Sequence, residues 1–214
     1  MEGSLKNFDT EALQWDEDVE KVKRANLFAN EIVNFIHPDK SMTAMEFGCG
    51  TGLLSFELRD KFKTITLIDN SPGMISVLEE KIKVNGLSNF EPICIDPLVD
   101  DVVLKDFDVI YTLMTLHHIH ELQKIIQIFN SGLKTGGYLC IADLISEDGT
   151  FHSKPSEFNG HKGFDKEELS LLLKENGFQS KFYKIVFTIE KEVDGRIKKY
   201  PLFLVIAKKI KESL

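Results

Sequence analysis

The segment Glu46-Phe47-Gly48-Cys49-Gly50-Thr51-Gly52 sets three glycines at alternate positions directly after an apolar run. Glycines so placed let a backbone turn tightly and approach a ligand with no Cβ in between. A helix opening there adds unpaired N–H groups and positive potential. Alone, the same loop serves as a tight strand-to-helix turn. The next apolar run ends on Asp69, where nucleotide-binding α/β folds carry an acid that accepts hydrogen bonds from ribose hydroxyls. The run after that ends on Asp96-Pro97. Loop and acids together describe a site for an adenosine-bearing ligand.

A second set of residues could handle protons. His117 and His118 follow the fourth apolar run, and His152 and His161 fall in an aperiodic stretch, 145–164, rich in Ser, Asp, Gly, His and Asn. Imidazole titrates near neutrality and suits a general base. Packing at a helix start explains His117 and His118 equally well. His152, His161, Asp143 and Glu147 match no metal-ligand spacing, so no metal is expected.

The elements that must position these groups alternate short apolar runs with amphipathic stretches, the pattern of a parallel sheet covered by helices. Strands are expected at 44–47, 64–68, 90–95, 107–112 and 138–142, the last entered by a Gly136-Gly137 turn. Helices are expected at 53–62, after Ser71-Pro72-Gly73, and at 120–133. Asp165 caps a further helix that Gly177 ends. Asp194-Gly195 joins two β-rich runs into a terminal hairpin, 181–209. Residues 1–40 form a helical cap, with a helix from Asp18 to Ile36 against the sheet or across its mouth. The whole chain, 1–214, reads as one domain.

With 43% hydrophobic and 28% charged residues the chain has the composition of a globular protein. Its net charge of −8 disfavours a nucleic-acid partner, and the basic residues from Arg196 to Lys211 read as a solvated hairpin and tail. Cys49, Cys94 and Cys140 are read as buried free thiols of a reducing, cytoplasmic compartment. No apolar run reaches the roughly 20 residues that span a bilayer, so no membrane is expected.

The ligand is then a dinucleotide or S-adenosylmethionine (SAM). Leu53 stands where a dinucleotide loop would need its third glycine, and an acidic Glu46 is of little use to a pyrophosphate. A cationic sulfonium and an amino group suit acidic strand ends. At these residues the sequence resembles the class I SAM-dependent methyltransferases. Glu46 to Gly52 looks like their first motif, Asp69 like their ribose acid, and Asp96 like the acid at the adenine amino group. Phe107-Asp108-Val109-Ile110 and Leu133-Lys134-Thr135-Gly136-Gly137 are similar to their later strand signatures, so the likeness runs from Thr43 to Ala142.

The resemblance implies a doubly wound α/β fold, a seven-stranded sheet of order 3-2-1-4-5-7-6 with strand 7 antiparallel. It implies SAM contacts at Glu46, Gly48, Cys49, Gly50, Thr51, Gly52, Asp69, Asn70, Met74, Asp96, Pro97 and Leu113. The acceptor is expected to be a small molecule held by Phe8, Trp15, His117, His152, His161 and Phe164, with His117, His118 and His161 as candidate catalytic groups. A monomer or homodimer is expected. An NAD(P)-dependent oxidoreductase and a non-catalytic SAM-binding module are the rival readings.

Overall fold

The computed structural model describes residues 8–100, 102–152 and 158–210. Residues 1–7 of the cap, 153–157 of the aperiodic stretch, and Lys211 lie outside the described residues. In chain order the elements are α1 (Val19–Ile36), β1 (Thr43–Phe47), α2 (Leu53–Leu58), β2 (Thr64–Asp69), α3 (Pro72–Val84), β3 (Phe90–Cys94) and β4 (Phe107–Leu113). Then follow α4 (Leu122–Gly132), β5 (Leu133–Leu144), α5 (Lys166–Glu175), β6 (Phe178–Val193) and β7 (Arg196–Lys209). Two 3-10 helices, Ala12–Glu17 and Leu116–His118, complete the set.

All seven strands form one sheet of order β3-β2-β1-β4-β5-β7-β6. β1 pairs in parallel with β2 and β4, whereas β7 runs antiparallel between β5 and β6. Strand order therefore reverses between β1 and β4. In open α/β sheets the crevice at such a reversal, beyond the carboxyl ends of the strands, is where ligands bind.

Period-two alternation divides the core into two layers. Ala44, Ile65, Leu67, Val109 and Tyr111 face one side, with Phe28, Ile32, Leu54 and Leu78 of the covering helices. Met45, Phe47, Ile68 and Ile110 face the other, with Ile125, Ile126, Phe129 and Leu173. Helix α1 buries Ala25, Phe28, Ala29, Ile32 and Ile36, one stripe at helical spacing, and Asp18 caps it by accepting from Glu20 and Lys21 N–H. It thus lies against the sheet, and the segment preceding it crosses the mouth.

Several local expectations change. Helix α2 stops at Leu58 rather than Phe62, where Lys61 N–H closes a turn onto the Leu58 carbonyl. Strand β5 starts at Leu133, and the Gly136-Gly137 pair lies inside it at a register shift against β4. Gly137 passes so close to the Asp108 carbonyl that a Cβ would reach 2.9 Å from it, so this pair accommodates an irregular ladder. Cys49 and Cys140 are buried, but Cys94 is exposed, because β3 is the sheet's edge strand.

Glu46 shares the face of Ala44 and so points beneath the first turn of α2. It is buried and accepts from both the backbone N–H and the hydroxyl of Ser55, which also meets Tyr111 Oη at 2.7 Å. Burial pushes its carboxyl up to about 8, against the opposing pull of Ser55. Through Ser55 these bonds tie β1, α2 and β4 together.

Two outcomes follow. Phe28→Ala should lower unfolding stability by about 3–5 kcal/mol, while Leu27→Ala on the solvent side should change it by less than about 0.5 kcal/mol; a small effect at Phe28 would make α1 a loose lid. Glu46 has a folded pKa above its ordinary value of 4.5, so the native state holds a proton that the unfolded chain releases between about 4.5 and 8. Its contribution is full below that window and lost through it. Denaturation of wild type and Glu46→Gln from pH 5 to 9 should show wild type losing ground up to about pH 8, by at most about 1.4 kcal/mol per pH unit; parallel pH profiles would contradict a buried, protonated Glu46.

Candidate active site

The glycine loop leaves β1 at the strand-order reversal. Gly48, Gly50 and Gly52 have φ of 65°, 52° and 80°. A Cβ on Gly48 would overlap the side chain of Thr115, whose hydroxyl donates to the Gly48 carbonyl at 3.2 Å. The loop is thus clamped against the segment after β4. Gly50 is different: a Cβ there would meet only Met74 Sδ at 3.8 Å and Trp15 Nε1 at 3.9 Å. Its bare backbone faces the crevice between α3 and the N-terminal segment. Gly52 caps α2 in the left-handed region.

Asp69 Oδ2 accepts from Gly50 N–H at 2.8 Å and Oδ1 from Ser71 N–H at 2.9 Å. Burial raises its pKa while these N–H groups oppose the rise. A carboxylate has about four lone-pair sites, so these bonds and that from Asn70 N–H leave acceptor capacity of the kind a ribose hydroxyl uses. Ser71 accepts from Met74 N–H and opens α3, with Pro72 in its first turn. Asp96 Oδ1 accepts from Leu98 N–H at 3.0 Å, and among the described residues no donor reaches Oδ2. Pro97 is buried beside it, Leu113 closes β4 half-buried, and Asn70 is exposed. Bare glycine backbone next to acids with spare lone pairs fits SAM.

Two expected cofactor residues have side chains engaged away from the crevice. The Cys49 side chain is buried and its thiol is pushed well up by burial; its N–H donates to the Ile68 carbonyl. Thr51 is buried with its hydroxyl on Asp16 at 2.5 Å. Glu46, turned to Ser55, does not offer the crevice the free negative charge that the sequence suggested.

The N-terminal segment is fastened across this mouth. Asp9 Oδ1 accepts from Ser71 Oγ at 2.6 Å and Gly73 N–H at 2.9 Å. Asp16 bonds Thr51 and also Lys81 Nζ at 2.5 Å. Trp15, on the 3-10 helix rather than on α1, is half-buried with Lys21 Nζ 3.4 Å from its ring centroid. Phe8 stands edge-on to both Trp15, at 5.9 Å, and His118, at 5.5 Å.

The histidines divide. His117, His118 and His152 come together, with ring centroids 4.1 Å apart for the first pair and 5.4 Å from each to His152. His117 is buried and its Nδ1 donates to buried Asp143 at 2.7 Å. His152 stacks on Phe158 at 3.5 Å, and its Nε2 is buried with no hydrogen-bond partner. Burial, then the neighbouring rings His117 and His152, push His118 down to about 2; burial, then His117 and Lys191, push His152 down to about 4. Both rings are thus held neutral and are weaker proton acceptors than an ordinary imidazole.

His161 stands apart from these three. Its Nε2 donates to the Ile119 carbonyl at 2.9 Å and its backbone N–H to the His117 carbonyl at 2.7 Å. It tethers the loop to the turn after β4 and takes no part in the three-ring cluster. Phe164, expected at the acceptor, belongs to the core beside Phe203 and is bridged to Ile145. Its aromatic surface is better replaced by Phe151 and Phe158, which meet His117 at 6.3 and 6.2 Å.

Sequence reasoning missed Asp9, Asp16, Arg24, Met114 and Lys191. Met114 has φ of 58°, rare for a non-glycine residue. Arg24 Nε is buried with no hydrogen-bond partner, and Lys191 Nζ lies 3.8 Å from the Phe151 ring centroid. Asp9-Ser71 and Asp16-Thr51 join residues far apart in sequence, pairings that no local pattern encodes.

The comparisons with known proteins agree with this geometry. A family model described as a methyltransferase domain matches residues 38–189. An uncharacterised methyltransferase of Schizosaccharomyces pombe is 32% identical over 157 residues, covering 66% of this chain and 55% of that protein. Phosphoethanolamine N-methyltransferase 1 of Arabidopsis thaliana is 30% identical over 158 residues, covering 69% of this chain and 31% of that protein. The chain thus spans about half or less of the length of these relatives. The crystal structure of a SAM-dependent methyltransferase from Aquifex aeolicus superposes with a TM-score of 0.65 at 22% identity, over 90% of this chain and 99% of that one. Glycine loop, ribose acid, sheet order and family model converge: the chain belongs to the methyltransferase-domain family, and its cofactor is S-adenosyl-L-methionine.

Proposed function

We propose that this protein transfers the methyl group of SAM to a small-molecule acceptor bearing an anionic group. The reading rests on one observation: the glycine loop and Asp69 share a crevice with an N-terminal segment hydrogen-bonded to both sides of it through Asp9 and Asp16. The acceptor lies between Phe8, Trp15, the His117-His118 turn and the segment around Phe151 and Phe158. Such apolar walls with few polar groups are typical of small-ligand sites. The Arabidopsis relative's name specifies phosphoethanolamine, a small phosphate-bearing molecule.

The chemistry asks for little beyond placement. The nucleophile's lone pair forms the new bond to the methyl carbon as the carbon–sulfur bond breaks, and sulfur leaves as a neutral thioether. Alignment of nucleophile, methyl and sulfur supplies much of the rate. The N-terminal segment excludes water from the sulfonium. The anionic group is assigned to the buried Arg24 side, where Nε has no hydrogen-bond partner. Lys191, held over Phe151 with its Nζ on the Phe151 carbonyl at 2.9 Å, adds positive charge beside it.

Titration calorimetry should find SAM and S-adenosylhomocysteine binding and no NADH binding; the reverse would favour an oxidoreductase. Asp69→Ala should weaken SAM by about 1.5–3 kcal/mol per charged hydrogen bond lost in a protein with unchanged circular dichroism. Gly50→Val should abolish SAM binding, since its side chain would fill the crevice; retained binding would reduce the loop to a turn. In a panel pairing anionic acceptors with their neutral esters or amides, turnover should follow the anion and Arg24→Gln should narrow the preference. Equal turnover of both members would remove the anionic requirement.

A further inference from the structure

The three-ring cluster beside this crevice walls the acceptor in the reading above but has no chemical role in it. His117, His118 and His152 each present one ring nitrogen, and these three atoms lie within 4.8 Å of one another. Three imidazoles converging in a largely apolar wall is an unusual arrangement unless something joins them. Packing alone would be satisfied by phenylalanines, of which Phe8, Phe151 and Phe158 already surround the cluster.

We propose that His117, His118 and His152 form a divalent transition-metal site, suited to Zn2+, with an open position for the acceptor's nucleophilic atom. Four features carry it. The ligands are three histidines, the set that leaves one position free in catalytic zinc sites. Metal-bound histidines commonly donate their other ring N–H to a carboxylate, which fixes the tautomer. His117 Nδ1 makes that bond to Asp143 at 2.7 Å, leaving its Nε2 bare. Asp143 is itself fixed, accepting from Leu144 N–H at 2.7 Å and His117 N–H at 3.2 Å, and its charge partly balances the ion. Finally, His152 Nε2 is buried without a hydrogen-bond partner, a polar atom that no protein group satisfies. Zinc–nitrogen bonds of about 2.0–2.1 Å bring ligand atoms to about 3.3 Å apart in a tetrahedron. Rotations of the His118 and His152 rings, neither fully buried, close the difference.

The cluster also has a suitable position. His117 and His118 follow Thr115, which is bonded to Gly48, and Phe8 links His118 to Trp15 beside Gly50. A thiol or hydroxyl of the acceptor coordinated here loses its proton to solvent, because a bound cation lowers its pKa. The resulting anion then attacks the methyl carbon, the carbon–sulfur bond breaks, and S-adenosylhomocysteine leaves with the metal unchanged in charge. This catalytic step rests on the proposed methyl transfer, whereas the metal site does not.

The test uses the full-length protein stripped with chelator, then titrated with Zn2+ and separately with Co2+. One equivalent should bind, and Co2+ should give the visible absorption of a four- or five-coordinate ion. His118→Ala and His152→Ala should each lose this binding and spectrum, Asp143→Asn should weaken it about 10–100-fold, and exposed His120→Ala should leave it intact. SAM affinity should be unchanged in His118→Ala and His152→Ala. Absence of stoichiometric binding by the folded wild type, or binding that survives both variants, would overturn the site. Failure of SAM binding would instead overturn the methyltransferase reading and leave the metal result standing.

Discussion

The contact between Asp69 and the Gly50 N–H, 2.8 Å long, holds the rest of the site in register. It joins the end of β2 to the loop leaving β1, at the place where strand order reverses. A buried carboxylate needs donors, and the loop's N–H groups need acceptors, so each satisfies the other. With the loop fixed in this way, Gly48 packs against Thr115 and the end of β4 is fixed too. Cofactor crevice, nucleophile side and histidine turn are therefore parts of one rigid edge.

The N-terminal segment completes that edge from outside the sheet. Asp9 binds donors at the start of α3, Ser71 and Gly73, while Asp16 joins the glycine loop at Thr51 to Lys81 further along α3. These bonds lie at the surface or half-buried, so each is worth little alone. Their effect is geometric: Trp15 and Phe8 are held over the crevice while α1 continues into the core. A segment anchored by weak polar bonds and followed by a well-packed helix can open without loss of the fold.

Burial sets the electrostatics. Burial raises the Glu46 carboxyl because period-two alternation turns it under α2, while Asp69, partly buried and met by N–H groups, keeps acceptor capacity toward the mouth. His118 and His152 are pushed away from proton-transfer chemistry by the same desolvation. An edge of this kind favours alignment and charge complementarity over acid–base relay, in keeping with a reaction whose leaving group is already cationic.

The sequence by itself determined the strand rhythm, the helix starts at Asp18 and after Ser71-Pro72-Gly73, the cap at Asp165, the hairpin at Asp194-Gly195, and the loop-and-acid pairing that points to the cofactor. Each depends on local physics: alternation, side-chain capping of N–H groups, φ above zero at glycine, and spacing between successive strand ends. Only the tertiary structure decided which histidines meet. His117 and His152 are joined through Phe151, Phe158 and Asp143 from β5, contacts that no local period encodes, while His161, equally plausible in sequence, is turned aside to the Ile119 carbonyl. Phe164 and Glu46 were assigned to the site from type and position, but the face on which each falls depends on register, and a shift of one residue exchanges the two faces of a strand. The exposure of Cys94 likewise followed from β3 being the edge, a property of sheet order that a strand's own residues do not carry.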